Sequence, residues 1–187
     1  MSQSLLLKIA RESITEVFEA QNIIKRGELI KDYPILNEPL AAFVSIYINK
    51  ELRGQSGRVQ AKESLLEEII YHAKAAAFED KAFGPLKVSE YLQAELELSL
   101  LTPLEELSYL DISDLLSKIK PKIDGIYIHL EDKSASLLPC DWLQFPKVHD
   151  FIKQVFKLSN INESDLLKHP RIYIFQVEKS RDEPILK

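Results

Sequence analysis

The chain has one cysteine, Cys140, in 187 residues. A single thiol excludes an intramolecular disulfide framework and any metal site built on a cysteine cluster, and it fits a reducing compartment. Glycine is scarce as well, at five residues. There is no basic surplus: the formal net charge is −5, which argues against general nucleic-acid binding, so DNA is not expected as a partner. No segment approaches the ~20 apolar residues of a membrane span, and a membrane is not expected either. The first residues lack a charged stretch followed by a long apolar run, which makes the cytoplasm the expected location. What remains is an ordinary globular composition, 45% hydrophobic and 28% charged, with eight Phe and seven Tyr for core volume. A chain of this size buries about 70% of its unfolded surface with no staple. One domain over residues 1–187 is expected, with its core at about 40–178.

Charge is unevenly placed. Residues 50–62 carry Lys50, Arg53, Arg58 and Lys62 against Glu51 alone. Residues 88–117 carry Glu90, Glu95, Glu97, Glu105, Glu106, Asp111 and Asp114 with no Lys or Arg. Solvated faces account for such runs more often than functional polarity does.

Leu6, Ile9, Ala10, Ser13 and Val17 fall at helical spacing and predict an N-terminal helix over 2–21. Val44, Ile46 and Ile48 alternate with polar residues as a strand. After a turn at Asn49-Lys50-Glu51, Leu52–Val59 returns, interrupted by Gly54 and Gly57, which mark a bulge or a close backbone approach. Leu65, Leu66, Ile69, Ile70, Ala73 and Ala77 stripe a helix over 63–78. Gly84-Pro85 breaks the loop after it, and a strand through Leu96, Leu98 and Leu100 stops at Pro103. Ser113 is expected to cap a short helix. Ile126, Ile128 and Leu130 alternate, and Ser134–Leu138 comes back after a turn. Val148, Phe151, Ile152, Val155 and Phe156 predict a helix over 147–158, and Asn162 a cap for a short helix to Lys168. A last strand is expected over Ile172–Val177, with a frayed tail over 179–187. The order hairpin, helix, strand thus occurs twice. It predicts an α+β fold in which two similar halves form adjoining, mainly antiparallel sheets packed with helices.

Leu52-Arg53-Gly54-Gln55-Ser56-Gly57 resembles the LRGCIG motif of the AMMECR domain family, which includes protein A of the AmmeMemoRadiSam set. Residues 76–86, AAFEDKAFGPL, are similar to the family's AAFEDPRFPPL, and Leu96–Pro103, LELSLLTP, to its IEISVLTP. Asp124-Gly125-Ile126 leading to Leu137-Leu138-Pro139 resembles the family's hairpin with a Leu-Pro corner. The ordered set spans about residues 40–178. It departs from the family at Gln55, where cysteine is usual, at Ser56 in place of an aliphatic residue, at Ala82 in place of arginine, and at Asp124 where histidine is common. The resemblance brings no established activity. It implies only an association with a Memo-like protein and a radical-SAM enzyme; no cofactor is expected.

Arg53–Gly57 is the candidate ligand site: Arg53, Gly54, Gln55, Ser56 and Gly57 offer a guanidinium, an amide, a hydroxyl and backbone N–H groups suited to a small anion. The blander reading is a bulge whose Arg53 pairs with an acid such as Asp80. No Gly-Lys-Ser/Thr follows, so this is not a P-loop. Asp80 and Asp124, at loop-like positions in the family-matching segments, complete the candidate set. Asp80 also reads as an acceptor at a helix end. No metal is expected, since His72, His129, His149 and His169 show no partner at ligand spacing. His72 and His149 are placed on helix surfaces, and Cys140 is read as structural. A non-catalytic module binding a small anion or another protein is the leading expectation, and an enzyme or enzyme subunit the alternative.

Overall fold

The computed structural model describes residues 3–186. Ser2 and Lys187, at the ends of the expected helix and tail, lie outside them. In chain order come α1 (Gln3–Glu19), α2 (Arg26–Asp32), β1 (Ala42–Ile48), β2 (Glu51–Gly57), α3 (Leu65–Phe78), α4 (Val88–Gln93) and β3 (Glu95–Leu101). There follow β4 (Glu105–Glu106), α5 (Ile112–Lys118), β5 (Gly125–Leu130), β6 (Lys133–Leu137), α6 (Val148–Ser159), β7 (Arg171–Phe175) and β8 (Val177–Arg181). The chain clusters into two compact units, Met1–Leu100 with Glu178–Lys187, and Leu101–Val177.

The two sheets have the same plan. One runs β2-β1-β3-β8 and the other β4-β7-β5-β6. In each, a hairpin is joined by the next long strand alongside its first member: β3 pairs antiparallel with β1, and β7 with β5. The α+β architecture and the repeated hairpin–helix–strand order are therefore as the alternation predicts. The fourth strands were not foreseen. β4 follows β3 in the chain but lies beside β7, and β8 follows β7 but lies beside β3. The expected single strand over Ile172–Val177 is thus two strands parted at Gln176.

In the first unit, Ile9, Ala10 and Ile14 of α1 and Leu65, Leu66 and Ile69 of α3 are buried with Val44, Ile46, Leu96 and Leu98. In the second, α6 buries Phe151, Ile152, Val155 and Phe156 against Ile126, Ile128 and Ile172. Trp142 stacks on Phe151 with ring centroids 3.8 Å apart and donates its indole N–H to Asp124 O.

Two local expectations fail for identifiable reasons. Asp111, not Ser113, caps α5, because its carboxylate accepts the Asp114 N–H at 2.8 Å and is the stronger acceptor. The tail from Lys179 is held: Lys179 and Arg181 pair with Glu97 at 2.9 and 2.7 Å, and Asp182 takes a two-nitrogen grip from Arg11.

Candidate functional site

Residues 53–57 form the body of β2, the strand at one edge of its sheet, and none of the chain's described glycines has positive φ. Gly54 and Gly57 are needed for close approach instead. A Cβ on Gly54 would collide with the carbonyl of Ala76 on α3, and one on Gly57 with the ring of Phe43. The ladder shifts register within this stretch: Ile46 pairs with Gly54 and the next residue, Tyr47, with Leu52, so Arg53 is the extra residue of a bulge in β2.

Bringing α3 onto β2 sets up a register between helix and strand. Two strand residues advance by ~6.6 Å and four helix residues by ~6 Å, so alternate positions of one meet every fourth position of the other. Gly54 therefore meets Ala76, Ser56 meets His72, and Arg58, just past the strand, meets Glu68. Ser56 Oγ lies 2.8 Å from His72 Nδ1. At the opposite end of the imidazole, Nε2 is 3.1 Å from Glu68 Oε2 and 3.0 Å from Arg58 Nε, which is itself 3.0 Å from Glu68 Oε2. Glu68 Oε1 accepts the backbone N–H groups of Lys62 and Glu63 at 2.8 and 3.0 Å. The Glu68 side chain is wholly buried, and His72 is 3% exposed.

This corrects the placement of His72 on a helix surface. Its pairing with Glu68 was also overlooked, although the i,i+4 spacing of Glu68 and His72 signals one helix face. Burial pushes the imidazole below its ordinary value, and the Arg58 charge pushes it the same way; Glu68 opposes both without prevailing. His72 is accordingly neutral near pH 7. His149 is exposed, as expected.

Arg53 has an internal partner, and it is Glu90 rather than Asp80. The guanidinium donates to both Glu90 oxygens at 2.9 and 3.1 Å and to Gly84 O at 3.0 Å, with Phe83 beneath it. Hydrogen bonding from Arg53 holds the Glu90 carboxyl below its usual range. Asp80 has a different task. Its two oxygens accept the N–H of Gln55 and of Ala82, both at 2.8 Å, tying the loop after α3 to the outer edge of β2. The Gln55 amide crosses to Ser45 Oγ on β1 at 2.9 Å.

The other end of the basic run is open. Arg58 and Lys62 line a cleft of about 540 Å³ with Glu63, Glu67, Glu68 and Tyr71, and the Arg58 guanidinium lies over the Tyr71 ring at 5.1 Å. Glu67 is turned to Arg26 at 2.8 Å. Among the described residues, neither the two Nη nitrogens of Arg58 nor Lys62 Nζ has a hydrogen-bond partner.

Asp124 belongs to the second unit and is fully buried. It accepts Lys120 N–H at 2.8 Å and the Gln176 amide at 3.2 Å, and it lines a polar cavity of about 260 Å³ with Thr102, Glu105 and Gln176. Cys140 is exposed in the 3-10 turn Pro139–Leu143. Among the described residues no group of three or more His, Cys, Asp or Glu is arranged to hold a metal ion, and no helix is long and apolar enough to cross a membrane.

Comparison with known proteins places these residues in a family. The AMMECR1 family model matches residues 7–180. Protein SSO0193 of Saccharolobus solfataricus is 38% identical over 129 residues, covering 66% of this chain and 55% of that protein. A protein of Sulfolobus acidocaldarius is 39% identical over 139 residues, 71% of this chain and 59% of its own length. The chain thus spans a little over half the length of these curated relatives. The crystal structure of the uncharacterized protein PH0010 from Pyrococcus horikoshii has the same fold, with a TM-score of 0.80 over 98% of this chain and 93% of that one, at 23% identity.

Proposed function

The chain belongs to the AMMECR1 family, and from that premise we propose that it is a binding module for a small anion, a carboxylate or a phosphate, seated in the cleft of Arg58 and Lys62. The observation that carries this reading is the division of labour along the basic run. Arg53 is engaged by Glu90, whereas Arg58 and Lys62 line the cleft, and the Arg58 Nη nitrogens and Lys62 Nζ have no hydrogen-bond partner among the described residues. A guanidinium edge beside an ammonium offers several charge-assisted donors to one oxyanion. Glu68 is satisfied by its own donors and Glu67 by Arg26, so these two carboxylates compete little for the same cations. Calorimetric titration with inorganic phosphate tests the reading. Lys62→Gln should weaken binding by about tenfold, the worth of one charge-assisted hydrogen bond. Arg53→Ala should leave the affinity unchanged. Equal affinity in Lys62→Gln and the unmodified chain would remove the cleft as the site.

The second reading is an enzyme, or an enzyme subunit partnered with Memo-like and radical-SAM proteins. Family resemblance suggests the partners, and the Ser56–His72–Glu68 arrangement is the observation that favours chemistry. Co-expression followed by size-exclusion chromatography tests the partnership.

A further inference from the structure

We propose that the anion cleft is proton-linked: an oxyanion seated on Arg58 draws a proton onto His72, and a protonated His72 strengthens the hold on the anion. The inference rests on the cleft reading above and adds its regulation. What carries it is one shared acceptor, His72 Nε2, for which the Arg58 guanidinium and a proton compete.

In the neutral ring Nε2 accepts the Arg58 Nε–H at 3.0 Å, so the ring's own proton is on Nδ1, toward Ser56 Oγ at 2.8 Å. Glu68 Oε2 then stands 3.1 Å from Nε2 with no proton between them. A lone pair held against a buried carboxylate is unfavourable. A proton added to Nε2 turns the same contact into a charge-assisted hydrogen bond. That proton takes the acceptor away from Arg58. The Arg58 Nε–H then turns to Glu68 Oε2, already 3.0 Å away, or moves with its guanidinium into the cleft that Arg58 lines. Glu68 Oε1 meanwhile holds the backbone N–H groups of Lys62 and Glu63. One buried carboxylate thus touches the imidazole, one cleft cation and the backbone that carries the other.

The charges acting on His72 are Arg58, just past β2, and Glu68, on α3 itself. Burial is the first reason the ring is neutral, and the Arg58 charge is the second. The Tyr71 ring stands edge-on to the imidazole, with centroids 5.0 Å apart. Toward α1, Lys74 of the same helix is closed onto Glu16 at 2.9 Å, and Glu67 is held by Arg26. Lys62 and Glu63 line the cleft itself. An oxyanion on the Arg58 Nη nitrogens offsets the very charge that disfavours the imidazolium. The imidazolium in turn places a second positive charge behind Arg58. By linkage the two effects are equal in size.

Sulfate is the probe, because unlike phosphate it keeps its charge between mildly acid and neutral pH. Calorimetric titration of the whole chain should give an affinity that is flat near neutrality. It should rise by about fivefold or more as pH falls through the His72 midpoint, the lower end of ordinary coupling between sites. Imidazole NMR of the unmodified chain should place that midpoint below free histidine and show it rising by the matching ~0.7 pH unit in saturating sulfate. Protonating Glu63 or Glu67 would also favour an anion in acid, so His72→Gln is the control, and its sulfate affinity should lose the rise. A rise that survives in a folded His72→Gln overturns the proposal. So does a His72 midpoint that saturating sulfate leaves in place, a result that needs no variant. Sulfate binding that Lys62→Gln weakens but His72 ignores removes the coupling alone. No sulfate binding at any pH at which the chain stays folded removes the cleft reading and the coupling with it.

Discussion

Glu68 and His72 sit one helical turn apart on α3, and Glu68 Oε2 lies 3.1 Å from His72 Nε2 with both side chains buried. This pair carries a pH dependence whose sign follows from the depressed imidazole. In the folded chain His72 takes up its proton only below its ordinary value, whereas the unfolded chain protonates near pH 6.5. Below that pH the unfolded state binds more protons, so stability declines as pH falls from there toward the folded-state value, and it is flat above. Urea denaturation across this range should show the decline, and His72→Gln should remove that component of it. A pH-independent midpoint in the unmodified chain would contradict the burial of a neutral ring.

Gly54 separates close packing from backbone freedom. Adding a methyl group there drives it into the backbone carbonyl of Ala76, which cannot swing aside like a side chain. Gly54→Ala should therefore cost at least ~1–3 kcal/mol, the range for overpacking. Gly27 makes the contrast: it lies in α2 and nothing stands within 4 Å of a Cβ built on it. Gly27→Ala should stabilise by ~0.5–1 kcal/mol through helix propensity. Chemical denaturation of the two variants side by side checks the pair, and similar small effects at both sites would be the failing result.

Glu97 fastens the last strand. Burial alone would raise its carboxyl, but hydrogen bonds from Lys179 and Arg181 of β8 outweigh that and hold it low. A carboxylate depressed in the folded state stabilises fully above its unfolded value and loses that contribution as pH drops toward the folded one. Glu97→Gln should cost ~1.5–3 kcal/mol, in line with hydrogen bonds to a charged group. Amide exchange over residues 177–181 should accelerate, at neutral pH in the variant and at acid pH in the unmodified chain. Protection there that is indifferent to both changes would mean β8 is held by other contacts.

How much of this was legible beforehand depends on the range of each signal. Period-two alternation at Val44–Ile48 and Ile126–Leu130, and the stripes of α3 and α6, are local and translate directly into elements. The exchange of fourth strands is not local: nothing in Val177–Arg181 says that its neighbour is β3, some eighty residues away. Its sequence, VEKSR, is too polar to announce a strand, because an edge position leaves one side to solvent. At the candidate site the residue types were noticed and the partners were not. Arg53 was given Asp80 as its acid, although Glu90 is the one within reach once α4 forms. Ser56 was placed on the returning strand, but alternation does not say which helix that strand packs against. Only the packing of β2 on α3 brings it to His72. Glu68 and His72 themselves could have been joined from their spacing alone.

Arg53 offers the sharpest separation between holding the fold and holding a ligand. Its guanidinium grips Glu90 with two nitrogens and reaches Gly84 O, so it spans β2, the loop before α4, and α4 itself. Glu90 also accepts the Lys87 N–H at 2.8 Å, closing the first turn of α4. Removing the arginine should release both anchors together. Arg53→Ala is expected to cost ~1–2 kcal/mol, because the pair is two-pronged but partly exposed to solvent. The Glu90 carboxyl, held low chiefly by that hydrogen bond, should titrate closer to its usual range in the variant. Carbon-detected NMR of the glutamate side chains reads this directly. Phosphate affinity should not change, since the cleft cations lie beyond the other end of β2. If Arg53→Ala abolished phosphate binding while Glu90 titrated as before, the guanidinium would have to be exchanging partners in solution. The anion would then belong at Arg53 and not at Arg58 and Lys62.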